Sequence, residues 1–209
     1  NFEVIFVDDS SIDGTYQYLK KIKKKLKTKI RVLRTKKNSG TPSITRNLGI
    51  RNAKGELLCL MDSDDIWEKN KLELQLNEYT NKNTIYSTTA RYFNSKNSRS
   101  GFLINFIRKQ MQRFIIKKIN NKGFHWLYIY NPIIISSVLV HKSVFKNHLF
   151  DDDINVREDL DIWIRLRKNN YKFYLNENIS INIFRRESSL SSNFKKELVT
   201  LIRSLSNVY

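Results

Sequence analysis

Apolar and polar positions repeat in a fixed order through the first half of the chain. Residues 2–7 are mostly apolar and alternate poorly, the pattern of a strand buried on both faces. From Thr15 the period changes. Tyr18, Leu19, Ile22 and Leu26 fall on one helical stripe, and Lys20, Lys21, Lys23, Lys24 and Lys25 fill the rest of the turn. A short strand follows over residues 30–33. Pro42 sits near the start of a helix over 43–53, and residues 57–61 form another buried strand. A helix over 69–80 and a strand over 84–93 complete the series β-α-β-α-β-α-β. That alternation predicts a layered α/β sheet with right-handed crossovers.

The second half is less regular. A strand is expected over 133–141. Leu160, Trp163, Ile164 and Arg167 recur at helical spacing within 157–168. Two short strands, 173–175 and 180–184, come next, and a final amphipathic helix begins near Asn193. Neither internal repeats nor a proline-rich linker divides the chain.

Composition narrows the class. A chain of 209 residues with 40% hydrophobic and 12% aromatic content can bury the core of one domain. Its single cysteine, Cys59, allows no intrachain disulfide and fits a reducing compartment. The chain has no apolar run of about 18 residues, so no transmembrane helix is predicted. It opens on "NFEVIFVDD" without Met, directly into a strand. The formal net charge of +18 points to an anionic partner, or to a bias toward Lys, Asn and Ile.

Against that charge, acids gather at two strand ends. Asp8, Asp9 and Asp13 follow the first strand, and Asp62, Asp64 and Asp65 follow "LLCLM". Ligands of open α/β sheets bind outside the carboxyl ends of strands. Clustered carboxylates repel one another unless a cation neutralises them. A hard divalent cation, Mg²⁺ or Mn²⁺, takes one or two such carboxylates together with phosphate oxygens. The implied ligand is a metal-bound diphosphate. The simpler alternative is helix capping, and Asp13 before Thr15 suits it.

Four motifs in order, "VIFVDDSSIDGT", "NSGTPSITRNLGI", "AKGELLCLMDSDDIW" and "REDLDIWIRL", resemble the family 2 glycosyltransferases of the GT-A fold. The resemblance runs from Phe2 to about Leu190 and is weakest over 94–130. It implies one GT-A domain: a Rossmann-like mixed sheet flanked by helices. Residues 1–93 would form a nucleotide-binding half, 94–192 an acceptor half and 193–209 a C-terminal helix.

By the same resemblance, the chain moves a sugar from a nucleotide diphosphate donor with inversion. The acceptor is a glycan or a lipid-linked glycan, in the synthesis of surface polysaccharide, lipopolysaccharide or glycoprotein. Asp9 contacts the base, which favours UDP-sugars, while Asp8 shapes the turn. "DSD" matches the D-x-D motif, with Asp62 toward the ribose, Asp64 on the metal and Asp65 supporting the following turn. Arg46 neutralises diphosphate or pairs with an acid of the site. In "REDLDIW" Asp159 matches the general base and Glu158 its supporting acid. Asn47 and Gly49 read as helix packing and Trp163 as core, while Trp67 either lines the donor site or does not reach it. The family carries a further central strand before this chain's first residue. A fragment lacking that strand is expected, with low stability on its own. Arg185 or Arg186 is a second candidate for diphosphate.

Residues 102–119 mix Phe and Ile with Arg and Lys. They either cover the site as an ordinary helix or lie on an anionic membrane surface. The expected location is cytoplasmic, at the inner face of the membrane if peripheral. Two rival functions remain. A basic nucleic-acid-binding module would explain the charge but not the strand-end acids, so nucleic acid is not an expected partner. A nucleotidyltransferase acting on sugar phosphates would share those acids, but no Gly-rich phosphate loop is visible.

Overall fold

The computed structural model describes residues 1–26, 29–93 and 102–184. In chain order they form β1 (Glu3–Asp8), α1 (Thr15–Lys25), β2 (Lys29–Arg34), α2 (Pro42–Asn52), β3 (Leu57–Cys59), β4 (Ile66–Trp67), α3 (Lys71–Glu78) and β5 (Thr84–Phe93). Then come α4 (Phe102–Lys122), α5 (Trp126–Ile129), β6 (Leu139–His141), α6 (Glu158–Lys168) and β7 (Lys172–Phe184). The helix expected over 193–209, Arg185 and Arg186 lie outside the described residues.

The mixed α/β class is as expected, but the strands divide between two sheets. β1 and β2 pair in parallel, with Glu3 opposite Lys29 and Asp8 opposite Arg34. The other five strands form one sheet in the order β3-β6-β5-β7-β4. Within it β5 and β7 are parallel, and the β3–β6, β5–β6 and β4–β7 pairs are antiparallel. A single sheet joining β1, β2 and β3 is therefore not present among the described residues. Side chains link the two sheets instead. Glu3 Oε1 accepts from the backbone of Lys54 at 2.6 Å and Gly55 at 3.3 Å, in the turn before β3. A Cβ on Gly49 of α2 would meet Val7 of β1 at 3.4 Å, so helix and strand approach closely there.

β5 is the central strand of five and is buried from Ile85 to Ala90. Its polar positions are satisfied internally. Ser87 donates to the Tyr174 carbonyl at 2.9 Å, and Ser180 donates to Thr88 at 2.6 Å. Buried polar groups persist only when paired in this way.

Two expected elements differ. Residues 173–175 and 180–184 belong to one strand, β7, whose register with β5 shifts around Thr89. The polar residues between them form a bulge: Asn176 accepts from the Asn178 amide at 2.7 Å, and Thr89 donates to the Glu177 carbonyl at 3.1 Å. The strand expected over 133–141 pairs only at Leu139–His141, because Ile135–Ser137 winds into a 3₁₀ turn. The core lies under this sheet, where Ile115, Ile119, Leu127, Val138, Ile162 and Trp163 are essentially inaccessible. Trp163 is core, as its position on the helical stripe predicts.

Candidate active site

Asp8 behaves as the turn-shaping acid. It is buried, and its Oδ2 accepts from the Ser11 amide at 3.2 Å and pairs with Arg34 Nε at 3.0 Å. Asp9 faces the loop after β2. Its Oδ2 accepts from the Ser39 amide and hydroxyl, both at 2.9 Å, and its Oδ1 from the Thr35 hydroxyl at 2.9 Å. Among the described residues, Oδ1 accepts from no second donor. Asp13 takes the helix-start role, accepting from the Thr15 amide at 3.0 Å and hydroxyl at 2.7 Å.

The second acidic cluster is a tight turn between β3 and β4, closed by the Asp65 amide donating to the Asp62 carbonyl at 3.2 Å. Ser136, fully buried in the 3₁₀ turn, fixes it from beneath. Its Oγ accepts from the Asp62 amide at 2.9 Å, and its carbonyl accepts from the Trp67 indole at 2.9 Å. Burial raises the Asp65 pKa to about 6; the Ser136 hydroxyl opposes this, and Asp62 and Asp64 add to it. Asp64 differs from its neighbours: it is exposed, and among the described residues it has no hydrogen-bond or ion-pair partner. Trp67 points inward, over the fully buried ammonium of Lys71 at 4.0 Å. Lys71 in turn donates to Gln75 at 2.6 Å, and Gln75 donates to the Ser137 carbonyl at 2.7 Å. Burial lowers the Lys71 pKa to about 8, offset in part by nearby Cys59. Burial also pushes the Cys59 thiol up, which suits packing rather than nucleophilic chemistry.

Arg46 connects this turn to the far end of the chain. Its Nη2 donates to Asp62 Oδ1 at 2.8 Å, and its Nη1 is paired with Glu158. The guanidinium is 13% exposed and lies over the Phe150 ring at 5.4 Å. Burial disfavours its charge, but Asp62 and Glu158 outweigh that, and its pKa is raised. In this structure Arg46 pairs with acids of the site. α2 holds it there because the helix is bolted to the loop before α6. Thr41 caps α2 and donates to the Ile154 carbonyl at 3.0 Å. Asn47 donates to the Phe150 carbonyl and to Asp152, each at 2.8 Å, and accepts from the Phe150 amide at 3.0 Å. Asn47 and Gly49 thus pack as the sequence predicts.

α6 begins directly after Arg157, which adopts a left-handed backbone with φ 60°. Glu158 and Asp159 occupy its first turn, where the helix dipole favours negative charge. Asp159 Oδ1 accepts from the Leu160 amide at 2.8 Å, and Oδ2 accepts from Asn131 Nδ2 at 2.8 Å. Even so, the carboxyl is pushed up to about 7, first by burial and next by Glu158, against the lowering pull of Arg46. Asp161 turns away and binds Arg165 at 2.7 Å. The arrangement therefore brings together an exposed carboxylate, Asp64, and a carboxyl that titrates near neutrality, Asp159, with Asp62, Arg46 and Glu158 joining them.

Among the described residues, no three His, Cys, Asp or Glu side chains converge as a ready-made cation cage. The donor set still fits Mg²⁺ or Mn²⁺. Such ions keep several waters and bind through one or two carboxylates plus substrate phosphate oxygens, and Asp64 offers an unengaged carboxylate.

A family model described as Glycosyl transferase family 2 matches residues 1–148. The chain belongs to this family. It is 31% identical over 170 residues to an uncharacterized glycosyltransferase of Rickettsia conorii, covering 81% of this chain but 26% of that protein. The poly(ribitol-phosphate) beta-N-acetylglucosaminyltransferase TarS of Staphylococcus aureus is 43% identical over 72 residues, 34% of this chain and 12% of TarS. A crystal structure of TarS in complex with UDP superposes with a TM-score of 0.67 at 19% identity, over 99% of this chain and 56% of that one. The mannosyltransferase PcManGT of Pyrobaculum calidifontis, in complex with GDP-Man and Mn²⁺, gives 0.69 at 13% identity, over 99% and 54%. These structures share the GT-A fold with this family 2 chain.

Three residues that support this candidate site escape the sequence motifs. Asn131 belongs to "YNPI", where Asn-Pro signals a turn but not its target. Ser136 is hidden in an apolar stretch that reads as strand. Lys71 looks like any solvated helix lysine, and nothing in the sequence marks its burial.

Proposed function

We propose that this chain transfers a sugar from a nucleotide diphosphate sugar, UDP-linked by preference, to a hydroxyl of a cell-envelope glycan or lipid-linked glycan. The observation that carries this reading is the Arg46 bridge, which ties the turn bearing Asp64 to the helix start bearing Asp159. Asp159 takes the proton of the acceptor hydroxyl. That oxygen attacks the anomeric carbon as the bond to the diphosphate breaks, and the nucleoside diphosphate leaves with the electron pair. A single displacement of this kind inverts the anomeric centre. A base works best with a pKa near the operating pH, and the value of about 7 at Asp159 meets that condition.

Glu158 holds Arg46 and keeps negative charge beside the base. Asp64 is the ligand for a divalent cation, and Asp62 lies toward the ribose. Once bound, that cation neutralises charge on the departing diphosphate. The free acceptor position on Asp9 Oδ1 supports recognition of a ring N–H, which uracil carries. The TarS complex with UDP and the PcManGT complex with GDP-Man support a nucleotide-sugar donor, and the poly(ribitol-phosphate) of the TarS name supports a polymer as acceptor. The activity is placed on the cytoplasmic side, where nucleotide sugars are held.

The test is release of nucleoside diphosphate from UDP-, GDP- and dTDP-sugars by the full-length protein with Mn²⁺. Asp159→Asn should lower turnover by about 10²–10⁴-fold while UDP still binds. Asp64→Ala should abolish the Mn²⁺ dependence. Unchanged turnover in both variants would overturn the reading.

A further inference from the structure

α4 is apolar on two opposite sides, and the core uses only one. Ile115, Ile116 and Ile119 point inward and are 1%, 6% and 0% exposed. On the outward side Phe106, Ile107, Met111 and Phe114 are 50%, 52%, 39% and 49% exposed. The strip continues onto α5, where Trp126 meets Phe114 edge-on at 5.8 Å and Ile129 is 67% exposed. Contiguous apolar surface of this kind, rimmed by polar groups, marks an interaction site.

The rim is cationic. From Phe102 to Lys122 the sequence carries no acid, and Lys109, Arg113, Lys117 and Lys118 are cations of the half-buried and exposed surface. Glu177 partly neutralises Lys109 at 3.4 Å and Arg113 at 3.2 Å. Lys117 is exposed, and Lys118 lies over Phe114 and Trp126 at 5.2 and 5.4 Å. Aromatic rings beside lysines suit a lipid headgroup region, where an apolar face sinks into acyl chains and cations meet phosphates. A second copy would set the same cations against each other, on a chain of net charge +18. No helix among the described residues is long and apolar enough to cross a membrane, so α4 would lie along the surface.

We infer that the outward face of α4 and α5 docks on an anionic phospholipid bilayer. This deepens the acceptor reading given above and rests on it for its purpose, though not for its test. Gln112 of the same helix donates to the Pro132 carbonyl at 2.9 Å, and neighbouring Asn131 donates to the Asp159 carboxylate at 2.8 Å. The inward side of α4 is thus one short segment away from the base, which suits an acceptor anchored in lipid.

The experiment is co-sedimentation of the full-length protein with vesicles, without donor. One set contains phosphatidylglycerol and phosphatidylcholine in equal parts, the other phosphatidylcholine alone. The wild type should bind the anionic set selectively. Met111→Glu with Phe114→Glu, and separately Lys117→Glu with Lys118→Glu, should each weaken partition by at least about tenfold. Both should keep the wild-type melting temperature and the wild-type rate of transfer to a soluble acceptor. Undiminished vesicle binding in both pairs would overturn the inference. So would a wild-type dimer that the Met111/Phe114 variant dissociates, since the face would then join two copies. Loss of binding only in the lysine pair would reduce it to non-specific charge and overturn it as well. Failure of donor turnover with lipid binding intact would count against the catalytic reading alone.

Discussion

Arg46 and Glu158, 112 positions apart in the chain, share an ion pair, and the same guanidinium reaches Asp62 at 2.8 Å. One cation therefore holds the acidic turn and the start of α6 in fixed relation. Removing one partner of a buried pair costs about 3–5 kcal/mol, because the remaining charges lose their compensation. Arg46→Met should lower the melting temperature by about 10 °C and abolish turnover. Arg46→Lys keeps the charge but cannot fork to both acids, so it should fall between. Thermal melts and donor turnover measured on the two variants check this.

Asn131 donates to the Asp159 carboxylate, and a donor in this position favours the charged form. A hydrogen bond to a charged group contributes about 1.5–3 kcal/mol, equivalent to about one pH unit or more. Asn131→Ala should move the acidic limb of the kcat/KM profile upward by about one unit. An unmoved limb with reduced activity would show a structural role only.

Asp159 also predicts how stability depends on pH. Its folded pKa is about 7 against an ordinary 3.8, so between those values the folded state keeps a proton that the unfolded chain has released. Stability contributed at this position therefore falls as pH rises from about 4 to about 7. Asp159→Asn removes the titrating group. Denaturant unfolding in EDTA at several pH values should show a flatter dependence for the variant than for the wild type.

Ser136 binds the acidic turn through the Asp62 amide and the Trp67 indole. Ser136→Ala preserves the indole bond, which uses the backbone carbonyl, but orphans the Asp62 amide. Such a loss costs about 1–3 kcal/mol. Donor KM should rise by about tenfold with a smaller change in kcat. Steady-state kinetics over a range of donor and Mn²⁺ concentrations separate the two.

Much of this protein is legible in its sequence because local pattern and local chemistry coincide. The apolar runs fix β1 and β3, and each drives its acids to a strand end. Pro42 opens α2, and the acids of "REDLD" mark the start of α6. What tertiary structure alone decided is which of these groups meet. The apolar stretch over 133–141 reads as a strand, but nothing in it says that Ser136 leaves the strand to grip a distant turn. Helical spacing places Lys71 on α3, yet its burial beside Trp67 depends on Gln75, which is held by β5 and the 3₁₀ turn at Ile135–Ser137. The pairing of Arg46 with Glu158, and of Asn131 with Asp159, arises from contacts between segments far apart in the chain. Local propensity carries no information about such contacts. For that reason the sequence marks the acids, and the fold decides which one carries an exposed charge and which one titrates near neutrality.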